Sequence, residues 1–211
     1  IEGIRMGTRA GTITPVVCGA PTSMAATDQV LWAMRKLLPS AARAAGEIGT
    51  DRDGNPVEIA CDPDAPLCAY VFKTVADPFV GKMSYVKVIS GKLTTDTPAF
   101  NPRTGEPERL GKLAFAKGKK LIDTDCISAG DVGVLTKLPN AKTGDTLCAP
   151  GRVVTLEQPS FPVPTLSMAI KVKNKGDESK VSGALQRLME EDPTIGYRVD
   201  TETVQQILSG M

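Results

Sequence analysis

The stretch from Asp77 to Gly91 constrains the fold more than any other part of this 211-residue chain. Asp77-Pro78-Phe79-Val80-Gly81 gathers turn formers around one phenylalanine and reads as a tight loop. Met83, Tyr85, Val86 and Val88 then stand against Ser84 and Lys87, the pattern of a strand with one face in a core. Such a turn and strand open a small antiparallel barrel, and nothing in them is catalytic.

The surrounding chain falls into blocks. From Leu67 to Gln158, short strand-like runs recur at Cys68–Val75, Met83–Ser90, Glu108–Phe115, Val132–Lys137 and Thr146–Cys148. Turn signals separate them, among them Asn101-Pro102-Arg103-Thr104-Gly105 and Thr143-Gly144-Asp145. Regular short strands without helices predict a barrel or sandwich. Ahead of this block, Thr12 to Cys18 reads as a strand and Gly19 ends it. Thr27-Asp28 then caps a helix carrying Val30, Leu31, Met34, Leu37 and Leu38, stopped by Pro39. One strand and one helix make an α/β unit that cannot bury both its faces alone. The turn-rich residues 46–66 read as a linker or surface excursion.

After Pro159, Pro162 and Pro164, the residues Leu166, Met168, Ile170 and Val172 alternate as one strand. Asp177 caps a helix with Val181, Ala184, Leu185, Leu188 and Met189 on one face, ended by Asp192-Pro193. Strands around Ile195–Val199 and Thr203–Leu208 complete a β-α-β-β order. That is the first part of a split β-α-β sandwich, so its sheet is expected to carry apolar surface without its usual cover.

Composition excludes several chemistries. The chain has no histidine, which removes Ser-His and Cys-His nucleophilic pairs and His-ligated metal sites together. Its five cysteines are odd in number and scattered without a Cys-x-x-Cys pair, so neither a disulfide framework nor a zinc site is expected. Twenty-five basic and 24 acidic residues give a net charge of +1, so any basic face must be local. No apolar run approaches a membrane helix, the start is no signal peptide, and the setting expected is the cytoplasm.

Several strings carry a resemblance in shared order and spacing: Thr14-Pro15-Val16-Val17-Cys18-Gly19, Asp77 to Gly91, Ala129-Gly130-Asp131-Val132-Gly133, Thr143-Gly144-Asp145-Thr146-Leu147-Cys148, Phe161-Pro162-Val163-Pro164, Leu185 with Leu188 to Pro193, and Ser209-Gly210-Met211. Together they resemble elongation factor G, a translational GTPase, over essentially the whole chain. The resemblance implies a multidomain α+β protein in which an antiparallel β-barrel of translation-factor type is flanked by an α/β remnant of a GTPase domain and a partial ferredoxin-like β-α-β-β domain. The implied divisions are the GTPase remnant at 1–45, a linker at 46–66, barrel domain II at 67–158 and the front of domain III at 159–211. A segment without initiator Met and with incomplete flanking pieces reads as part of a larger protein.

The resemblance further implies a parent that uses GTP and Mg to move messenger and transfer RNA through the ribosome. Here no Gly-x-x-x-x-Gly-Lys-Ser/Thr phosphate loop is present, so no cofactor is expected on this segment and no GTP hydrolysis. The positions matching the family's guanine-holding turn are Ala20 and Pro21, and proline has no N–H to offer a base. An ordinary strand-to-helix turn is the other reading of Gly19 to Ser23. The expected partners are the ribosome, through small-subunit rRNA and ribosomal proteins, and the parent's own GTPase and C-terminal domains; no membrane is expected. Ribosomal protection or recycling factors share the barrel and stand as alternatives, as does a free-standing RNA- or protein-binding module.

Lys117, Lys119 and Lys120 surround Gly118 at the tip of an expected hairpin, where three ammonium groups can reach phosphate oxygens. A solvated lysine-rich turn is the competing reading. The family's usual segment here is longer and contains histidine, which aligns Ala116 to Lys120 with divergent members. Lys171, Lys173 and Lys175 form a second alternating basic edge, read first as protection of a sheet edge. Phe79 is expected as a core plug, with base stacking as the alternative. Trp32 is expected as core toward the GTPase domain, and Met34, Met168 and Met189 as packing residues.

Overall fold

The computed structural model describes residues 1–44, 46–77, 79–172, 176 and 178–211. The expected cap Asp177, the basic-edge residues Lys173 and Lys175, the boundary residue Ala45 and Pro78 of the tight turn lie outside the described residues. The chain divides into two compact units, residues 1–46 and 47–211.

The first unit contains helices α1 (Glu2–Arg9) and α2 (Thr27–Leu37) and a single 3₁₀ turn (Ala41–Arg43). Helix α2 lies where its periodicity places it and buries Ala33 and Leu37. Asp28 in its first turn and Arg35 and Lys36 in its last suit the helix dipole. Its cap, however, is Ala26 in the left-handed region (φ 57°), without a side-chain hydrogen bond. Helix α1 has no counterpart in the sequence pattern. The expected strand from Thr12 to Cys18 is irregular, with no strand to pair with among the described residues of this unit. Thr12 instead turns back on α1, its N–H and Oγ1 both donating to the Gly7 carbonyl.

The second unit is mostly antiparallel sheet. A hairpin of β1 (Glu47–Asp51) and β2 (Pro56–Ile59) is followed by two ten-residue strands, β3 (Cys68–Asp77) and β4 (Gly81–Ser90). Short strands follow: β5 (Lys92–Thr94), β6 (Ala99–Asn101), β7 (Glu106–Glu108), β8 (Leu113–Lys117), β9 (Lys120–Thr124), β10 (Cys126–Ser128), β11 (Val132–Thr136), β12 (Thr146–Cys148) and β13 (Val154–Leu156). The main sheet has the order β7-β6-β12-β3-β4-β11-β8-β9. Strands β10 and β5 pair separately, and β1 lies between β13 and β2.

Residues 46–66 are therefore more than a linker, since they carry the hairpin that pairs with β13. Only Gly49 and Ile59 of that hairpin are buried, too few to write a period-2 pattern. Likewise, the run expected as one strand from Glu108 to Phe115 divides into β7 and β8, which sit far apart in the sheet order. Gly111 makes the crossing possible, because a Cβ there would collide with the Thr136 carbonyl.

One core cluster gathers Val71, Val86, Val88, Leu93, Leu113, Ile127, Leu135 and Leu147, all essentially without solvent contact. A second, on the other face of β3 and β12, gathers Ile59, Cys68, Ile89, Cys148, Val154 and Leu156. Removing this much branched apolar surface from water at roughly 25 cal/mol per Å² is the main stabilisation of the barrel.

The C-terminal part runs β14 (Leu166–Ile170), α3 (Glu178–Glu191), β15 (Gly196–Val199) and β16 (Gln206–Gly210). The sheet order β14-β16-β15, all antiparallel, is that of a split β-α-β unit. Helix α3 rests against β3, where the Ala76 N–H donates to Glu191 Oε1 at 2.6 Å. A cavity of about 580 Å³ beside that contact is lined by Lys82, Asn140, Lys142, Gln186, Met189 and Glu190. Leu166 and Met168 are 60% and 62% exposed, which is the uncovered apolar surface expected for this sheet. Met34 and Met168 are exposed rather than packed, and Met189 is half-buried.

Candidate nucleic-acid interface

The basic tip is a product of local turn chemistry. Strands β8 and β9 pair from Leu113↔Thr124 to Lys117↔Lys120, leaving Gly118 and Lys119 as a two-residue turn. Gly118 has φ 60°, while Lys119 does not enter the left-handed region. Glycine first and an ordinary residue second is the requirement of a type II′ turn, which matches the twist of the flanking strands. All three lysines are exposed. Lys117 and Lys120, directly opposite each other, project from the same face as Phe115 and Ile122. Like charges in that position repel, and a phosphate placed between them would relieve the repulsion.

The other hairpin tip is built differently. Asp77 Oδ1 accepts hydrogen bonds from the N–H groups of Phe79 and Val80, both at 2.8 Å. Those bonds hold the Asp77 carboxyl below the ordinary carboxylate range. Asp77 pairs with Gly81, whose φ of 83° closes the tip. Phe79 is 97% exposed there, so it is not the core plug expected of it. Phe79 lies beyond the last paired residues, Asp77 and Gly81, where none of the described residues buries its side chain.

Topology separates these tips. Strands β4 and β8 each pair antiparallel with β11, so they run in the same direction. The Phe79 tip precedes β4 and the lysine tip follows β8, which places them at opposite ends of the sheet. The aromatic tip and the basic tip therefore belong to two surfaces.

A buried polar cluster stiffens the loop from Pro139 to Asp145. Asp145, 1% exposed, accepts from Arg103 Nε at 2.6 Å and Arg103 Nη2 at 2.8 Å. Asn101 Nδ2 and the Lys142 N–H complete its shell at 2.9 and 2.8 Å. Burial pushes the Asp145 carboxyl up, and these hydrogen bonds outweigh it and hold the pKa below the usual range. Nearby Glu108, 5% exposed, has no hydrogen bond to either carboxylate oxygen among the described residues. Burial raises its pKa, against the opposing charge of Lys82. Neither acid was legible as a site beforehand. The turn strings Asn101-Pro102-Arg103-Thr104-Gly105 and Thr143-Gly144-Asp145 hold three members of the cluster, but neither names the other as its partner.

The remaining candidates are dispersed. Ala20 forms an isolated bridge with Ala25, its N–H donating to the Ala25 carbonyl at 3.0 Å. Since Pro21 has no N–H, neither position presents a free backbone donor to a base. The residues present thus do not fit a guanine nucleotide. Lys171 is exposed just beyond β14, and Trp32 is 41% exposed on α2. Among the described residues no group of three or more Cys, Asp or Glu side chains is arranged to hold a metal. Among the described residues no helix is long and apolar enough to cross a membrane.

The chain thus combines an antiparallel barrel of short strands, an open β-α-β-β sheet and a cationic hairpin. Residues 66–150 match the family described as elongation factor G domain 2, and residues 161–211 match elongation factor G, domain III. Elongation factor G of Ureaplasma parvum is 38% identical over 208 residues, covering 99% of this chain and 30% of that protein. Elongation factor G of Fervidobacterium nodosum has the same identity and coverage. A solved structure from Thermus thermophilus superposes with a TM-score of 0.73 over 99% of this chain and 29% of its own, at 24% identity, which supports the fold alone. The chain belongs to the elongation factor G family, and it spans 30% of the length of the curated relatives it matches.

Proposed function

We propose that this chain is the ribosome-facing stretch of an elongation-factor-G-like protein whose parent drives ribosomal translocation with GTP and Mg in the cytoplasm. One observation carries the reading: 38% identity to elongation factor G that runs along 99% of the chain, through both domains and the residues before them. Residues 1–45 are assigned to the end of the GTPase domain, and they pack in the parent against the rest of that domain.

In this reading the barrel lies against small-subunit rRNA and its neighbouring ribosomal proteins. Lys117, Lys119 and Lys120 contact phosphates, positioning the barrel without reading sequence. The chain itself does not turn over GTP, because it has no phosphate loop and no free donor at Ala20 or Pro21.

Salt titration of binding to small ribosomal subunits tests the lysines. The triple variant Lys117→Ala, Lys119→Ala, Lys120→Ala is expected to lower the slope of log affinity against log salt by about one per lost phosphate contact. An unchanged slope removes these lysines from the interface. GTP turnover by the 211-residue chain above a protein-free control would overturn the assignment of catalysis to other parts of the parent.

A further inference from the structure

Two cysteines meet in the second core cluster in an arrangement that the function above does not use. In the ladder between β12 and β3, Cys148 stands directly opposite Cys68. Directly opposed residues of an antiparallel pair project from the same face. Both side chains accordingly lie in the cluster with Ile59, Ile89, Val154 and Leu156. The flanking hydrogen bond, from the Ala149 N–H to the Leu67 carbonyl at 3.0 Å, identifies the pair as a non-hydrogen-bonded one. Such pairs are the narrow rungs of the ladder, with Cα atoms about 4.5 Å apart and side chains closest. That separation lies at the near edge of the range a disulfide spans, roughly 4.4–6.8 Å between Cα atoms.

Both thiols are free, buried and held apart from solvent. Burial pushes the Cys68 thiol up to about 12, and the neighbouring Cys148 adds to the rise. The Cys148 S–H donates to the Phe100 carbonyl at 3.5 Å. At rest the pair is therefore protonated and unreactive.

We propose that Cys68 and Cys148 form a peroxide-sensitive modification site, a dithiol that closes into a reversible disulfide stapling β3 to β12. The ligand class is a small neutral hydroperoxide, which can enter during local opening of the cluster. One thiol, ionised on opening, attacks a peroxide oxygen; the O–O bond breaks, leaving a sulfenic acid and, after protonation, one water. The second sulfur attacks the sulfenic sulfur, the S–S bond forms and a second water leaves. Two thiols and one hydrogen peroxide become one disulfide and two waters, with two electrons passing from sulfur to oxygen. A dithiol reductant reverses the change.

The test uses the full chain carrying Cys18→Ser, Cys61→Ser and Cys126→Ser, so that only the buried pair remains. After hydrogen peroxide treatment the protein is unfolded in the presence of an alkylating agent and mapped by mass spectrometry. The expected product is a Cys68–Cys148 crosslinked peptide lighter by two hydrogens, absent after dithiothreitol and absent when Cys68→Ala is added. The same variant is also refolded from urea with peroxide present, which gives both thiols access. Alkylation of both cysteines in the recovered folded protein after both treatments, while peroxide oxidises Cys18 and Cys126 of the unmodified chain, would overturn the proposal.

Discussion

The barrel sheet and the β14-β16-β15 sheet are written in the same sequence code but differ in what covers them. Strand β4 buries Val86 and Val88 on one face, together with Ser84, and Met83 and Ile89 on the other; β14 alternates large apolar and small residues, yet its Leu166 and Met168 stand in solvent. In the barrel, strands of the main sheet from β6 to β8 and the separate β5–β10 pair enclose a shared core around Leu93 and Leu135. Along β14 no such second layer buries Leu166 or Met168 among the described residues, for α3 meets β3 and, in this sheet, β15. Alternation thus reports that a strand has two faces, and cover decides what each face is worth.

One substitution made in both sheets gives the largest expected contrast. Leu135→Ala in the barrel is expected to cost about 2–5 kcal/mol through lost transfer energy and a cavity. Leu166→Ala is expected to stay within about 0.5 kcal/mol, as at other exposed positions. Urea unfolding of the two variants checks this, and equal costs would mean that the β14 face is covered in solution.

Next in size is the polar pin of the barrel. Asp145→Ala leaves Arg103, Asn101 and the Lys142 N–H without their acceptor. The expected cost is about 3 kcal/mol, at the low end for a broken buried pair because Arg103 keeps part of its solvent contact. The folded-state pKa of Asp145 is depressed, so its contribution is present above the ordinary carboxylate range and is lost as pH falls through the folded value. The acid limb of a stability–pH curve should therefore flatten in this variant.

Glu108 acts with the opposite sign. Its folded-state pKa is raised, so its contribution is fully present below the ordinary glutamate value and is lost as pH rises through the folded one. Glu108→Gln is expected to remove that loss, leaving the variant at least as stable as the parent at neutral pH. Thermal unfolding across the acidic and neutral range measures it, and a variant less stable at neutral pH would show that the charged carboxylate is satisfied. The smallest expected effect on stability is that of the three lysine-to-alanine changes, within about 0.5 kcal/mol, so any loss of ribosome binding there reflects the surface and not unfolding.

Long elements were legible before the structure, and most three-residue strands were not, β12 (Thr146–Cys148) excepted. Helix α2, the two ten-residue strands β3 and β4, and the β14-α3-β15-β16 order announce themselves because each repeats its period several times. Strands β5, β6, β7, β10 and β13 have three residues each, less than two periods, and exist because neighbours supply their hydrogen bonds. The stretch from Thr12 to Cys18 shows the converse, apolar enough for a strand but unpaired among the described residues.

The candidate surface divides in the same way. The lysine hairpin could be read directly, because glycine between lysines specifies both the turn and the charge at its tip. Phe79 could not, since an aromatic in a tight turn faces either a core or solvent depending on what lies beyond the turn. Local chemistry, carried by turn residues and long periodic runs, was determined by the sequence alone. The partnerships of Arg103 with Asp145 and of Cys68 with Cys148, and the placing of two hairpin tips at opposite ends of one sheet, were decided by tertiary structure. Both pairs join residues distant along the chain, and only strand order and register bring such residues together.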